Sequence, residues 1–119
     1  MKFLIPNTYF KSDAPALREI VGEALFNVQE TIGEAGRLTE IIKCDRIIVM
    51  PGGTGTFEEL LYSNETKRSG EHKCRVTLVN IDGYFSGLLS QIEAGIREGL
   101  ITNNVIHFDI VSSVKQIEF

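Results

Sequence analysis

The chain has little of what staples or metallates a small protein. Its two cysteines, Cys44 and Cys74, are far apart and form no Cys-x-x-Cys pair. His72 and His107 form no ligand cluster with them. A structural zinc site is therefore not expected, and two free thiols in a reducing cytoplasm are. Positive charge is also short. Lysine and arginine number 12 against 16 acidic residues, for a net charge of −4 and a pI near 5.2. That balance argues against general nucleic-acid binding, which needs a basic surplus to neutralise a phosphate backbone. A small phosphorylated ligand needs only a local positive site and stays open. No apolar run approaches the ~20 residues of a membrane span. The opening Met1-Lys2-Phe3-Leu4-Ile5 is broken by Pro6 and Asn7 too early to read as a signal peptide. Repeats, low-complexity tracts and linkers are missing too. One compact domain over residues 1–119, soluble and cytoplasmic, is the expectation.

What is present is an alternation of strand-like and helix-like segments. Short strands are expected at 2–6, 24–29, 46–50, 75–81 and 104–110. Helical spacing falls at 16–21, at 36–43, from the end of a glycine loop to about Thr66, and over 84–98. In the last of these, Phe85, Leu88, Leu89, Ile92 and Ile96 keep one face. A final helical turn is expected from Ser112. Lys67 to Lys73 reads as a solvated connection that includes His72, and His107 reads as a structural strand residue. Strand–helix alternation implies an α/β fold, a Rossmann-like parallel sheet with helices on both faces.

The most informative stretch is Pro51-Gly52-Gly53-Thr54-Gly55-Thr56-Phe57-Glu58-Glu59, directly after Arg46-Ile47-Ile48-Val49-Met50. A β-branched run ended by Pro-Gly-Gly is a buried strand closing on a glycine turn. A helix is expected to begin near Thr56, with Phe57, Leu60 and Leu61 on one face. Glycines and threonines between a strand end and a helix start expose backbone N–H groups where the helix dipole is positive, which suits a phosphate. Two plainer explanations stand beside this. The glycines would equally serve a tight turn needing positive φ. Thr56 and Glu59 would equally make a capping box, the threonine capping the helix and the glutamate reaching back to it. Ligands of open α/β sheets bind beyond the carboxyl ends of strands, and this loop lies at such an end.

Through Pro51, Gly52, Gly53, Gly55, Thr56 and Glu59 the chain resembles the Lonely Guy (LOG) family, long labelled lysine decarboxylases. The similarity continues in Val79-Asn80-Ile81-Asp82-Gly83-Tyr84-Phe85, Leu88-Leu89 and Glu98-Gly99-Leu100-Ile101, and spans about Arg37 to Ile110. The resemblance implies a homodimer that cleaves the N-glycosidic bond of a nucleoside 5′-monophosphate, typically a cytokinin riboside monophosphate. It implies no metal and no redox cofactor, with a small-molecule substrate and neither nucleic acid nor membrane as partner. It assigns phosphate binding to Gly52, Gly53, Thr54, Gly55 and Thr56, and catalysis to Glu59 and Arg37. Glu58, about 100° round the helix, is expected to face solvent or a partner subunit. Two features depart from the family pattern. The family has an Arg-Lys pair upstream of the motif, and an ungapped alignment puts Arg37 at the lysine, so the arginine assignment needs a one-residue deletion. Family members also begin with a further strand–helix–strand segment. The chain is therefore expected to be N-terminally shortened, as a natural minimal form or a truncation. The alternative function is a non-catalytic nucleotide-binding or subunit-interaction protein of the same fold. Amino-acid decarboxylation is a poor reading, because no lysine sits in a recognisable pyridoxal-phosphate site.

Overall fold

The computed structural model describes residues 3–4 and 45–118. The elements expected at 16–21, 24–29 and 36–43, and Arg37 with them, lie outside the described residues. Four parallel strands stand in sequence order: β1 (Phe3–Leu4), β2 (Arg46–Val49), β3 (Arg75–Val79) and β4 (Asp109–Val111). Ile47 pairs with Val76, Val49 with Leu78, and Leu78 in turn with Ile110. Helix α1 (Thr54–Arg68) connects β2 to β3, and α2 (Ser86–Arg97) connects β3 to β4. The α/β class and the parallel sheet expected from the alternation are what the structure shows.

Strand alternation sorts the core into two layers. Ile47, Val49, Val76 and Leu78 face α1 and α2, where they meet Leu60, Phe85 and Phe108, with Phe57, Leu88 and Leu89 packed alongside. Two crossovers that step the same way along a sheet place both helices on one face. Ile48, Met50 and Val79 face the other way, against Val114 and Ile117 of the C-terminal segment. Both faces of β2 and β3 are thus covered, as their largely β-branched and apolar sequences require. Arg46 shares the second face. Its guanidinium donates to Thr77 Oγ1 at 2.7 Å and to the Glu118 carbonyl. Burial, reinforced by the neighbouring Arg75 charge, pushes its pKa below the ordinary arginine value.

Both helices end in the same way. Gly70 and Gly99 are left-handed, at φ +85° and +75°. Beyond them the Glu71 N–H bonds the Thr66 carbonyl at 2.8 Å, and the Leu100 N–H bonds the Gly95 carbonyl at 2.9 Å. These are Schellman closures, which terminate α1 at Arg68, two residues later than expected.

Four expectations need correction. Leu61 does not share the buried face of α1; it is 41% exposed, while Leu60 is fully buried. The buried positions are Thr56, Glu59, Leu60, Ser63, Asn64 and Thr66, a largely polar stripe from which Leu61 is rotated by about 100°. His72 is not solvated. It is 7% exposed, with Nε2 2.9 Å from the Ser63 carbonyl and Nδ1 accepting the Cys74 N–H at 3.2 Å. The Cys74 bond makes Nδ1 the acceptor, so Nε2 carries the proton and the ring ties α1 to the start of β3. Cys74 itself is buried, and burial pushes its thiol pKa up. The third correction is to strand 75–81, which stops at Val79, because the chain turns through a 3₁₀ segment at Ile81–Gly83.

The fourth is strand 104–110, which begins only at Asp109. Asn64 explains why. From α1, its Nδ2 donates to the Val105 carbonyl at 3.0 Å and its Oδ1 accepts the His107 N–H at 2.8 Å. Those backbone groups bond a helix side chain instead of a sheet ladder, so His107 is not a strand residue. Asn64→Leu keeps the volume and strands both groups. It is expected to lower the unfolding free energy by about 1–3 kcal/mol. Denaturant titration with an unchanged midpoint would reject this role for Asn64.

Candidate functional site

Met50 and Pro51 carry the chain from β2 to the loop, and Gly53 is the N-cap of α1. The helix therefore starts at Thr54, two residues before the expected start, and the free loop is only Pro51–Gly53. This shift decides between the plainer readings of the motif. Thr56 lies at the third helical position and is no N-cap, so the Thr56–Glu59 capping box does not exist. The expected positive φ is absent as well. Among described residues, left-handed backbone occurs at Gly70, Asp82, Gly83 and Gly99, not in the loop.

The loop glycines answer to space. A Cβ on Gly52 would stand 2.2 Å from Thr56 Oγ1 and 3.1 Å from Thr56 Cβ, so the Thr56 side chain occupies that place. Among the described residues a Cβ on Gly53 would meet nothing within 4 Å, and its φ of −92° is ordinary for any residue. One glycine is required by close packing; the other leaves open room in front of the helix.

Both Thr56 N–H, at 3.0 Å, and Phe57 N–H, at 3.2 Å, bond the Gly53 carbonyl. The N–H groups of Thr54 and Gly55 precede these first bonds of the helix, where donors are left for a cap, water or a ligand. Gly53 and Thr54 are exposed and Gly55 is half-buried. The first turn carries no acidic side chain to occupy the positive helix end, and Lys67 and Arg68 stand at the other end. Glu59 lies about 7 Å further along the helix axis from Thr54. It is 9% exposed and shares the buried stripe with Thr56. Glu58 is half-buried. The loop lies beyond the carboxyl end of β2, Glu59 stands on the second turn of the helix that follows it, and Arg37 lies outside the described residues.

The sequence reading did not single out Tyr84 as a site residue. Its hydroxyl donates to the Gly52 carbonyl. The signal available was positional: Tyr84 follows the end of β3, the strand beside β2. At the opposite end of α1 an apolar groove of about 290 Å³ is lined by Leu61, Leu100, Ile101 and Ile106, with Asn64 and Arg68. Among the described residues no group of three or more His, Cys, Asp or Glu could hold a metal ion, and no helix is long and apolar enough to cross a membrane.

A strand leading into a glycine-rich helix N-terminus, with a carboxylate further along the same helix, is the candidate site of this parallel α/β sheet. The family model described as "Possible lysine decarboxylase" matches residues 13–118, and the chain belongs to that family, in which its LOG-type relatives stand. It is 39% identical over 88 residues to cytokinin riboside 5′-monophosphate phosphoribohydrolase LOG4 of Arabidopsis thaliana, covering 73% of this chain and 41% of that protein. It is 39% identical over 97 residues to LOG1 of the same species, covering 81% and 45%. The phosphoribohydrolase LOG of Oryza sativa subsp. japonica is 38% identical over 88 residues, covering 73% and 36%. The chain spans less than half the length of these relatives.

Proposed function

We propose that this protein hydrolyses the N-glycosidic bond of a nucleoside 5′-monophosphate, with a cytokinin riboside monophosphate as the model substrate. The observation that carries the reading is the open face at Gly53, where exposed first-turn N–H groups meet the positive end of α1 and Glu59 lies further along the same helix. The names of the relatives support it. The 5′-phosphate binds the N–H groups of Gly53, Thr54 and Gly55, and Gly52 and Thr56 hold the loop by packing on each other. Anchoring the phosphate fixes the ribose and lowers the entropic part of the barrier. As the C1′–N bond breaks, its electron pair leaves with the base, which takes up a proton. The sugar becomes oxocarbenium-like, and the Glu59 carboxylate stabilises that charge or orients the water that adds to C1′. Arg37 is assigned to the negative charge of the substrate. The products are free base and ribose 5-phosphate.

The chain is also proposed to work as a homodimer. The support is the groove with Leu61, Leu100 and Ile106 at 41%, 85% and 39% exposure, apolar surface that a second copy would cover.

The test is incubation with a panel of nucleoside 5′-monophosphates, cytokinin riboside monophosphates included, read by mass spectrometry for free base and ribose 5-phosphate. Stoichiometric release of both is the expected result. Binding without release would favour a non-catalytic nucleotide-binding protein, and neither binding nor release would overturn both readings. Sedimentation of the same preparation reads the assembly, and a folded monomer across a wide concentration range would reject the dimer.

A further inference from the structure

We propose that Tyr84 is a positioning residue for the phosphate loop: its hydroxyl holds the Gly52–Gly53 peptide in the orientation that presents the Gly53 N–H to a ligand. The proposal rests on the phosphate-loop reading above.

The geometry starts one strand away. After β3 the chain makes a tight turn with Asp82 and Gly83 both left-handed, at φ +52° and +70°. Asn80 holds that turn from inside. Its N–H bonds the Val111 carbonyl at 2.7 Å, and its Oδ1 accepts the Phe85 N–H at 2.7 Å. The Tyr84 N–H closes on the Ile81 carbonyl at 3.0 Å. The turn thus throws Tyr84 sideways over the end of β2, while Phe85 goes into the core at 1% exposure.

Tyr84 then touches the motif on both sides of its exposed N–H groups. On the loop side its hydroxyl donates to the Gly52 carbonyl. On the helix side its ring lies 6.5 Å from that of Phe57, centroid to centroid, and edge-on to Phe85 at 5.0 Å. Phe57 is itself edge-on to Phe85 at 6.1 Å. The ring is held by aromatic packing although Tyr84 is 50% exposed.

The peptide bond turns this contact into control of the site. The Gly52 C=O and the Gly53 N–H belong to one planar trans unit and point in opposite directions. Pinning the carbonyl toward Tyr84 aims the N–H the other way. Two adjacent glycines resist rotation of that unit less than any other pair, so an outside hold has the most to do here. A phenylalanine at this position would keep the ring packing and lose the hold.

The test is Tyr84→Phe, read in two ways. Relaxation of the backbone amide of Gly53 by ¹⁵N NMR, without ligand, reads the hold itself. The variant is expected to show a lower order parameter or new exchange broadening at Gly53 and Thr54, with the rest of α1 unchanged. Affinity for adenosine 5′-monophosphate, or KM where turnover is measurable, reads the consequence. It is expected to weaken about three- to tenfold, the range of one net hydrogen bond, with kcat within about twofold. Tyr84→Leu, which also removes the ring, should lower the melting temperature as well, separating lost packing from the lost hydroxyl. Unchanged Gly53 dynamics in Tyr84→Phe would overturn the proposal, and so would altered dynamics with unchanged affinity in a protein that binds the nucleotide. If the wild type binds no nucleotide, the phosphate-loop reading falls, and the hold on the peptide is decided by the NMR measurement alone.

Discussion

Glu59→Gln is expected to cut turnover about 10²-fold or more, with nucleotide affinity kept within a few-fold. In the proposed mechanism two parts of α1 have different roles, so the two effects separate. Backbone N–H groups at its first turn would hold the phosphate, and they do not change when Glu59 does. The carboxylate, on the second turn, would stabilise the charge that develops on the sugar. Glutamine keeps its size and most of its hydrogen-bonding capacity while removing the negative charge. The substitution also tests a rival that the sequence left open. A Thr56–Glu59 capping box would accept glutamine without loss, but Gly53 is the N-cap and Thr56 already lies inside the helix. Helix capping therefore gives Glu59 no role here. Wild-type turnover in Glu59→Gln, on a substrate that the wild type cleaves, would remove Glu59 from the mechanism.

Gly53→Ala is expected to weaken nucleotide binding about tenfold, or about 1.4 kcal/mol, with only a small change in stability. Its backbone, at φ −92°, accepts alanine, and the added methyl would meet nothing within 4 Å among the described residues. Two effects on the fold oppose each other. Alanine is the poorer N-cap, while loss of glycine reduces the entropy of the unfolded chain. They leave a net change within about 1 kcal/mol. In the proposed binding mode, the methyl would occupy the approach to the Thr54 and Gly55 N–H groups. Gly52→Ala is the contrasting control. There the new Cβ would stand 2.2 Å from Thr56 Oγ1, so the cost falls on the fold, at about 1–3 kcal/mol. Calorimetric titration with adenosine 5′-monophosphate, together with thermal melts, reads both variants. Equal affinity in Gly53→Ala and wild type would show that no ligand approaches over Gly53.

The strand, turn and helix that build the candidate site were legible in the order of residues, and much of its geometry was not. The run Ile47–Val49 and the helical spacing after it announced a strand, a turn and a helix, and the structure has all three. The helix start was misjudged by two residues, because Gly53 and Thr54 are poor helix formers and nothing local says that the Gly53 carbonyl will accept from both Thr56 and Phe57. Positive φ was a fair expectation for a glycine pair. A contact between Gly52 and a side chain one helical turn away, which the sequence does not display, is the actual constraint.

The same division holds across the fold. Continuous β-branched and apolar runs sufficed for a parallel sheet buried on both faces, since only such a sheet leaves no side for polar residues. The glycines after Ser69 and Glu98 sufficed to end two helices, because an αL residue is needed there and glycine adopts it freely. Neither kind of reasoning reaches His72, Asn64 or Tyr84. Each is a polar side chain whose partners are backbone groups of another element: the Ser63 carbonyl for His72, the Val105 carbonyl and His107 N–H for Asn64, and the Gly52 carbonyl for Tyr84. Periodicity and propensity describe a residue's relation to its own segment. Whether a histidine in a charged stretch is solvated or buried, and whether a tyrosine after a strand is surface or strut, depends on which backbone groups of another element come within hydrogen-bond reach. That is decided only when the sheet assembles.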